Sequence, residues 1–147
     1  MKILIDADGC PVVDIAVILA FKNGIECIIF CDTSHIIEKE NAKTIICSKG
    51  LDSTDFALLN RAEKNDIVVT QDYGLASMCL SKKAFALNQN GLFYTEENIN
   101  SLLMSRYISK KSRLSGAKIK GPSKRKPEQN EKFKKALESL IIKAKSI

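Results

Sequence analysis

Aspartate recurs in this chain just beyond short apolar runs. Asp6 and Asp8 follow Ile3-Leu4-Ile5, Asp52 and Asp55 follow the run that ends at Cys47, and Asp72 follows Ile67-Val68-Val69-Thr70. If those runs are strands of one open α/β sheet, the aspartates lie at its carboxyl edge, where such sheets hold their ligands. Carboxylates gathered there repel one another unless a proton or a cation intervenes. Hard oxygen donors without histidine or cysteine suit Mg²⁺ or Mn²⁺, so Asp6, Asp8, Asp52, Asp55 and Asp72 are candidate metal ligands. Such an ion polarises a phosphoryl oxygen and acidifies water. Local roles compete with this one. Asp52-Ser53-Thr54-Asp55 has capping-box spacing, Asp72 suits the N-cap of the helix after it, and Asp8 before Gly9 suits an Asx turn. Asp6, closing an apolar strand, has no such alternative.

The elements that must position these residues alternate between strand and helix, which implies an α/β fold with a mostly parallel central sheet of about 4–5 strands flanked by helices. Strands are expected at 2–6, 25–31, 43–47, 67–70 and 84–87. The helix after the first strand should open at Pro11 and end before Gly24, with Val12, Ile15, Ala16, Leu19 and Ala20 turned inward. Further helices are expected over about 53–64 and 73–82, and residues 32–42 are ambiguous. Asn90-Gly91 signals a turn that returns the chain through 92–94 as a hairpin, and Thr95 should cap the next helix, which carries Ile99, Leu102, Leu103 and Arg106. Residues 1–114 thus form the body. Residues 115–127, rich in Gly, Pro and Lys, read as a basic linker or arm. Over 128–147, Phe133, Ala136, Leu137, Leu140, Ile141 and Ala144 recur at helical spacing, so an amphipathic helix must dock on the body or on a second subunit of a homodimer.

Charge is divided unevenly along the chain. Residues 1–100 carry 9 Lys+Arg against 14 Asp+Glu, whereas 101–147 carry 14 against 3. An acidic body with a basic tail suits a negatively charged partner, nucleic acid above all. Lys49, Arg61, Arg106, Lys110, Lys111, Arg113, Lys118, Lys120, Lys124, Arg125 and Lys126 are the candidate phosphate contacts. There is no tryptophan and only three tyrosines, Tyr73, Tyr94 and Tyr107, so extensive base stacking is not signalled. The longest apolar run, 15–21, is seven residues, far below the roughly 20 needed to cross a bilayer. No membrane partner is expected, and Asp6 interrupts the start of any secretory core, which points to the cytoplasm. Five cysteines lack a Cys-x-x-Cys pair and His35 is the sole histidine, so neither zinc nor an organic cofactor is indicated. Cys27, Cys31, Cys47 and Cys79 read as core residues, and acidic neighbours should raise the Cys10 thiol.

Ile3-Leu4-Ile5-Asp6, the helix opening at Asp55-Phe56-Ala57-Leu58-Leu59 and the segment Val68-Val69-Thr70-Gln71-Asp72 resemble the three acidic stations of PIN-domain nucleases. More closely, Asp6-Ala7-Asp8-Gly9-Cys10-Pro11-Val12, Gln71-Asp72-Tyr73-Gly74-Leu75-Ala76, Tyr94-Thr95-Glu96-Glu97-Asn98-Ile99 and Lys120-Gly121-Pro122 resemble the bacterial YaiI/YqxD family of PIN-like proteins, over nearly the whole chain. The resemblance implies a Mg²⁺- or Mn²⁺-dependent nuclease, acting on RNA in preference to DNA. Its catalytic set would be Asp6, Asp55 and Asp72, with Asp8 or Asp52 as a fourth carboxylate and Thr70 holding a water on the metal. Many PIN enzymes carry a glutamate on an early helix; here that helix offers Asp14 instead. Two other readings stand beside this one. Asp6-Ala7-Asp8 also resembles the opening of haloacid-dehalogenase-type phosphatases, in which Asp6 would attack phosphorus and Asp8 act as general acid. A non-catalytic nucleic-acid-binding module would use the basic tail alone.

Overall fold

The computed structural model describes residues 1–50, 53–116 and 124–147. Its sheet has the strand order β3-β2-β1-β4-β5-β6, from β1 (Lys2–Asp6), β2 (Glu26–Asp32), β3 (Lys43–Cys47), β4 (Ile67–Val69), β5 (Phe85–Leu87) and β6 (Phe93–Tyr94). The first five strands run parallel, and β6 pairs antiparallel to β5 through Ala86–Tyr94 and Leu87–Phe93. The α/β class and the mostly parallel sheet are as expected, with one strand more. The extra strand is the two-residue return after Asn90-Gly91, where Gly91 takes φ +83°. β1 and β4 are buried along their apolar residues, which explains their unbroken hydrophobicity: a parallel strand covered on both faces has no solvent side on which to alternate.

Among the described residues five helices cover the two faces: α1 (Val13–Lys22), α2 (Ser53–Arg61), α3 (Tyr73–Ser81), α4 (Ile99–Leu114) and α5 (Pro127–Lys145). One face packs Ile3, Ile5, Ile29 and Val69 against Ala16, Val17 and Ala20 of α1 and Phe133, Leu137 and Ile141 of α5. The other packs Leu4, Ile28 and Val68 against Leu58 of α2, Leu75, Ala76 and Cys79 of α3 and Ile99 of α4. The helix over 127–145 therefore docks on the body itself. Phe133 and Leu137 are fully buried, each stabilising by roughly 1.5–3 kcal/mol. Two helix starts differ from expectation. α1 begins at Val13: Cys10 N–H closes a turn on the Ala7 carbonyl at 3.1 Å, and Val12 is the N-cap, its carbonyl accepting from Ala16 N–H at 3.0 Å. α4 itself begins at Ile99 after Asn98, but Thr95 does cap the turn that leads into it: the Asn98 amide oxygen accepts from Thr95 N–H at 3.0 Å while the Thr95 hydroxyl accepts from Asn98 N–H at 3.2 Å, the reciprocal bonds of a capping box. Residues 33–42 connect β2 to β3 without a helix. Among the described residues no helix is long and apolar enough to cross a membrane.

Candidate functional site

The chain runs outward from β1 to β2 and β3 on one side, then returns to lay β4, β5 and β6 on the other. The direction reverses between β1 and β4, and the crevice beyond their carboxyl ends is where open α/β sheets place ligands. Asp6 ends β1, and Thr70 and Asp72 follow β4, so the reversal itself brings together residues 64 and 66 positions apart. The Thr70 hydroxyl donates to Asp6 Oδ2 at 2.8 Å and accepts the Asp72 N–H at 3.0 Å. Thr70 is 1% exposed, and Tyr94 from β6 donates its phenol to the Thr70 carbonyl at 3.0 Å. Thr70 thus fixes the spacing of two carboxylates. Gln71 reaches back to the Gly9 carbonyl at 2.9 Å and ties the loop after β4 to the turn after β1.

Asp72 does what its capping position predicts and something more. As N-cap of α3 its Oδ1 accepts from Gly74 N–H at 2.8 Å and Leu75 N–H at 3.2 Å, and the same oxygen pairs with Arg106 Nη1 of α4 at 3.3 Å. These contacts leave Oδ2 out of the cap. Burial raises the Asp6 carboxyl above the usual carboxylate range; the Thr70 hydrogen bond opposes that shift, and the charges of Asp72 and Asp8 add to it. Asp6 therefore feels both acidic neighbours. A cleft of about 430 Å³ gathers Asp6, Asp8, Asp32, Asp55 and Asp72 with Gln71 and Arg106 among its lining residues. Among the described residues that line it, five carboxylates face one guanidinium, an excess of negative charge that favours a cation.

Oxygen donors without thiol or imidazole match Mg²⁺ or Mn²⁺ in kind. Among the described residues, however, no three His, Cys, Asp or Glu side chains are gathered closely enough to hold a metal ion as they stand. Asp6, Asp55 and Asp72 share one cleft rather than one point.

The other expected site residues scatter. Asp52, Lys118 and Lys120 lie outside the described residues. Arg106 enters the cleft from α4. Lys110, Lys111 and Arg113 are exposed further along the same helix. Lys49 is exposed outside the cleft lining, with its charge acting on Asp32. Arg61 ends α2, about 9 Å of helix rise from Asp55. Lys124 and Lys126 line a separate shallow cleft beside the start of α5. Arg125 is engaged within the chain, donating to Asn130 Oδ1 at 2.8 Å, Asn90 Oδ1 at 2.6 Å and the Gln89 carbonyl at 2.8 Å. Asp14 pairs with Lys39 at 3.0 Å beside a different groove, apart from the acidic cleft. Burial, more than the nearby Asp6, pushes the Cys10 thiol up, and the deeper Cys27 and Cys79 thiols reach about 12 for the same reason. Asp32 was not among the expected residues, yet it ends β2 at the same edge; hydrogen bonds from Ser34 hold its carboxyl low. The signal was present, since it too is an aspartate closing an apolar strand.

The family model described as "Uncharacterized BCR, YaiI/YqxD family" matches residues 4–143. The chain belongs to that family. It is 45% identical over 141 residues to a UPF0178 protein of Exiguobacterium sibiricum, covering 96% of each chain, and 44% identical over 147 residues to one of Clostridium acetobutylicum, covering 99% of each. A UPF0178 protein of Ruminiclostridium cellulolyticum is 47% identical over 146 residues, 99% of this chain and 95% of the relative. No solved structure gives a significant match. Those names state no reaction, so the chemistry of this YaiI/YqxD chain has to be argued from the cleft.

Proposed function

We propose that this protein is a Mg²⁺- or Mn²⁺-dependent nuclease that hydrolyses phosphodiester bonds, in RNA in preference to DNA. The observation that supports it is the convergence of Asp6, Asp8, Asp32, Asp55 and Asp72 on one cleft at the switch point of a parallel sheet. Asp6, Asp55 and Asp72 would hold the metal, and Asp8 stands beside them. A divalent ion there would supply the charge that polarises a phosphoryl oxygen and acidifies water. Thr70, with its hydroxyl committed to Asp6 and to the Asp72 backbone, serves as a positioning residue. Arg106 presents a guanidinium suited to a phosphate oxygen, and its attachment to Asp72 keeps that carboxylate paired until substrate or metal displaces it. Lys110, Lys111 and Arg113 extend the positive track along α4.

A second reading, nucleic-acid binding without hydrolysis, draws on the same Arg106–Asp72 pair, because a guanidinium already neutralises one of the carboxylates. One experiment separates the two. Mn²⁺ at a hundredfold excess over its Kd should add about 2.7 kcal/mol, a rise in Tm of roughly 5–10 °C for a chain this size, and Asp6→Asn should abolish that rise. Labelled RNA should be cleaved by the wild-type chain with Mn²⁺ and left intact by Asp6→Asn and Asp72→Asn, both of which keep salt-sensitive binding. Binding without a Mn²⁺ response or cleavage would establish the second reading instead.

A further inference from the structure

Adjoining the acidic cleft is a second depression of about 310 Å³ whose lining includes Asp55, Asp72 and Arg106, shared with the first, and Phe56, Leu75 and Met78, which are its own. Phe56 is 56% exposed and Met78 39%, although their helices bury Leu58, Leu75, Ala76 and Cys79 in the core and half-bury Ala57, Leu59 and Leu80 against it. Phe56 is the residue after Asp55 in the first turn of α2, so the helix that carries a carboxylate into one cleft carries a bare aromatic ring into the next. The nearby tyrosines are committed elsewhere. Tyr73 and Tyr94 meet edge to face with centroids 5.9 Å apart, and the Tyr94 hydroxyl is bonded to Thr70.

We infer that the Phe56–Met78 depression is a nucleobase subsite: a base stacks on the Phe56 ring while the phosphate attached to its sugar meets Arg106 at the boundary with the acidic cleft. The inference rests on the nuclease reading for its choice of occupant, and it adds where the flanking base sits and what holds it. The argument is one of continuity and complementarity. A nucleotide has a flat apolar face next to an anionic group, and this surface has an exposed ring and thioether next to a guanidinium. Every base offers a π-face, so such a subsite would be tolerant of sequence. A generic apolar ligand would gain nothing from Arg106, and a phosphate alone would gain nothing from Phe56.

The test uses adenosine 5′-monophosphate and ribose 5-phosphate, neither of which contains a phosphodiester bond, titrated into the full-length protein with Mg²⁺ and followed by NMR. Stacking should make the nucleotide bind about 5- to 150-fold more tightly than the sugar phosphate. Phe56→Ala should bring the nucleotide down to the level of ribose 5-phosphate and leave the latter unchanged. Because the chain has no tryptophan, Phe56→Trp adds a single reporter that should retain the preference and be quenched by the nucleotide alone. Equal affinities, an equal loss of both ligands in Phe56→Ala, or no binding of either would overturn the subsite. A base preference in a protein that cleaves no RNA would leave the subsite standing and remove the nuclease; cleavage without a base preference would do the reverse.

Discussion

Helices α4 and α5 come from the same basic third of the chain and are used in opposite ways. α5 buries Phe133, Leu137, Leu140, Ile141 and Ala144 in the core that also contains Ile3 and Ile5. α4 buries only Ile99 and leaves Met104, Tyr107, Ile108 and Leu114 exposed, while extending Arg106 to the acidic cleft. Positive charge therefore did not decide the role of either helix. What separates them is an apolar stripe that continues for about three turns in α5, from Phe133 to Ala144, and fades after the first turn in α4. A basic segment with a continuous stripe becomes part of the body, and one without it is left to present its cations.

That contrast is open to attack at several points. Phe133→Ala should do most damage, costing about 3–5 kcal/mol by leaving a cavity in a fully buried position, read as a lowered midpoint in urea; a loss below 1 kcal/mol would mean that α5 is peripheral. Gly91→Ala comes next. The added Cβ would stand 2.7 Å from the Lys132 carbonyl of α5, at φ +83°, so a loss of about 1–3 kcal/mol is expected in the same assay. The third substitution acts on the cleft that α4 serves. Burial raises the Asp6 pKa above its unfolded value, so the folded state holds that proton more tightly, and stability falls as pH rises from the unfolded pKa through the raised one. Without metal, Asp6→Asn should raise Tm at neutral pH by less than Gly91→Ala lowers it, and the gain should vanish as the pH falls towards 4. Ile108→Ser, on the exposed flank of α4, should move stability by no more than about 0.5 kcal/mol. A larger loss in dilute solution would show that this flank is covered.

Much of the fold was legible because each level of the sequence agreed with the next. Unbroken runs such as 3–5 and 67–69 could only be doubly covered strands, and the stripe from Phe133 to Ala144 had to dock. Acidic residues after those runs therefore marked the cleft before any geometry was known. The misses have physical causes. Asp32 was passed over because β2 was ended one residue early. Phe56 was named only as part of the motif that opens at Asp55, since periodicity cannot tell a side chain turned to the core from one at the stripe's edge. Arg125 looked like the lysines around it. Its planar fork instead met Asn90, Gln89 and Asn130, a match of donors to acceptors that depends on the β5–β6 turn lying beside the start of α5.

The packing of Phe133 and Leu137 against Ile3 and Ile5 also bears on the order of events at the ribosome. β1 precedes α5 by more than a hundred residues, so the face they share is covered by α1 alone until α5 emerges, an interval on the order of ten seconds at usual elongation rates. The core around Ile3 and Ile5 is thus completed only when α5 docks.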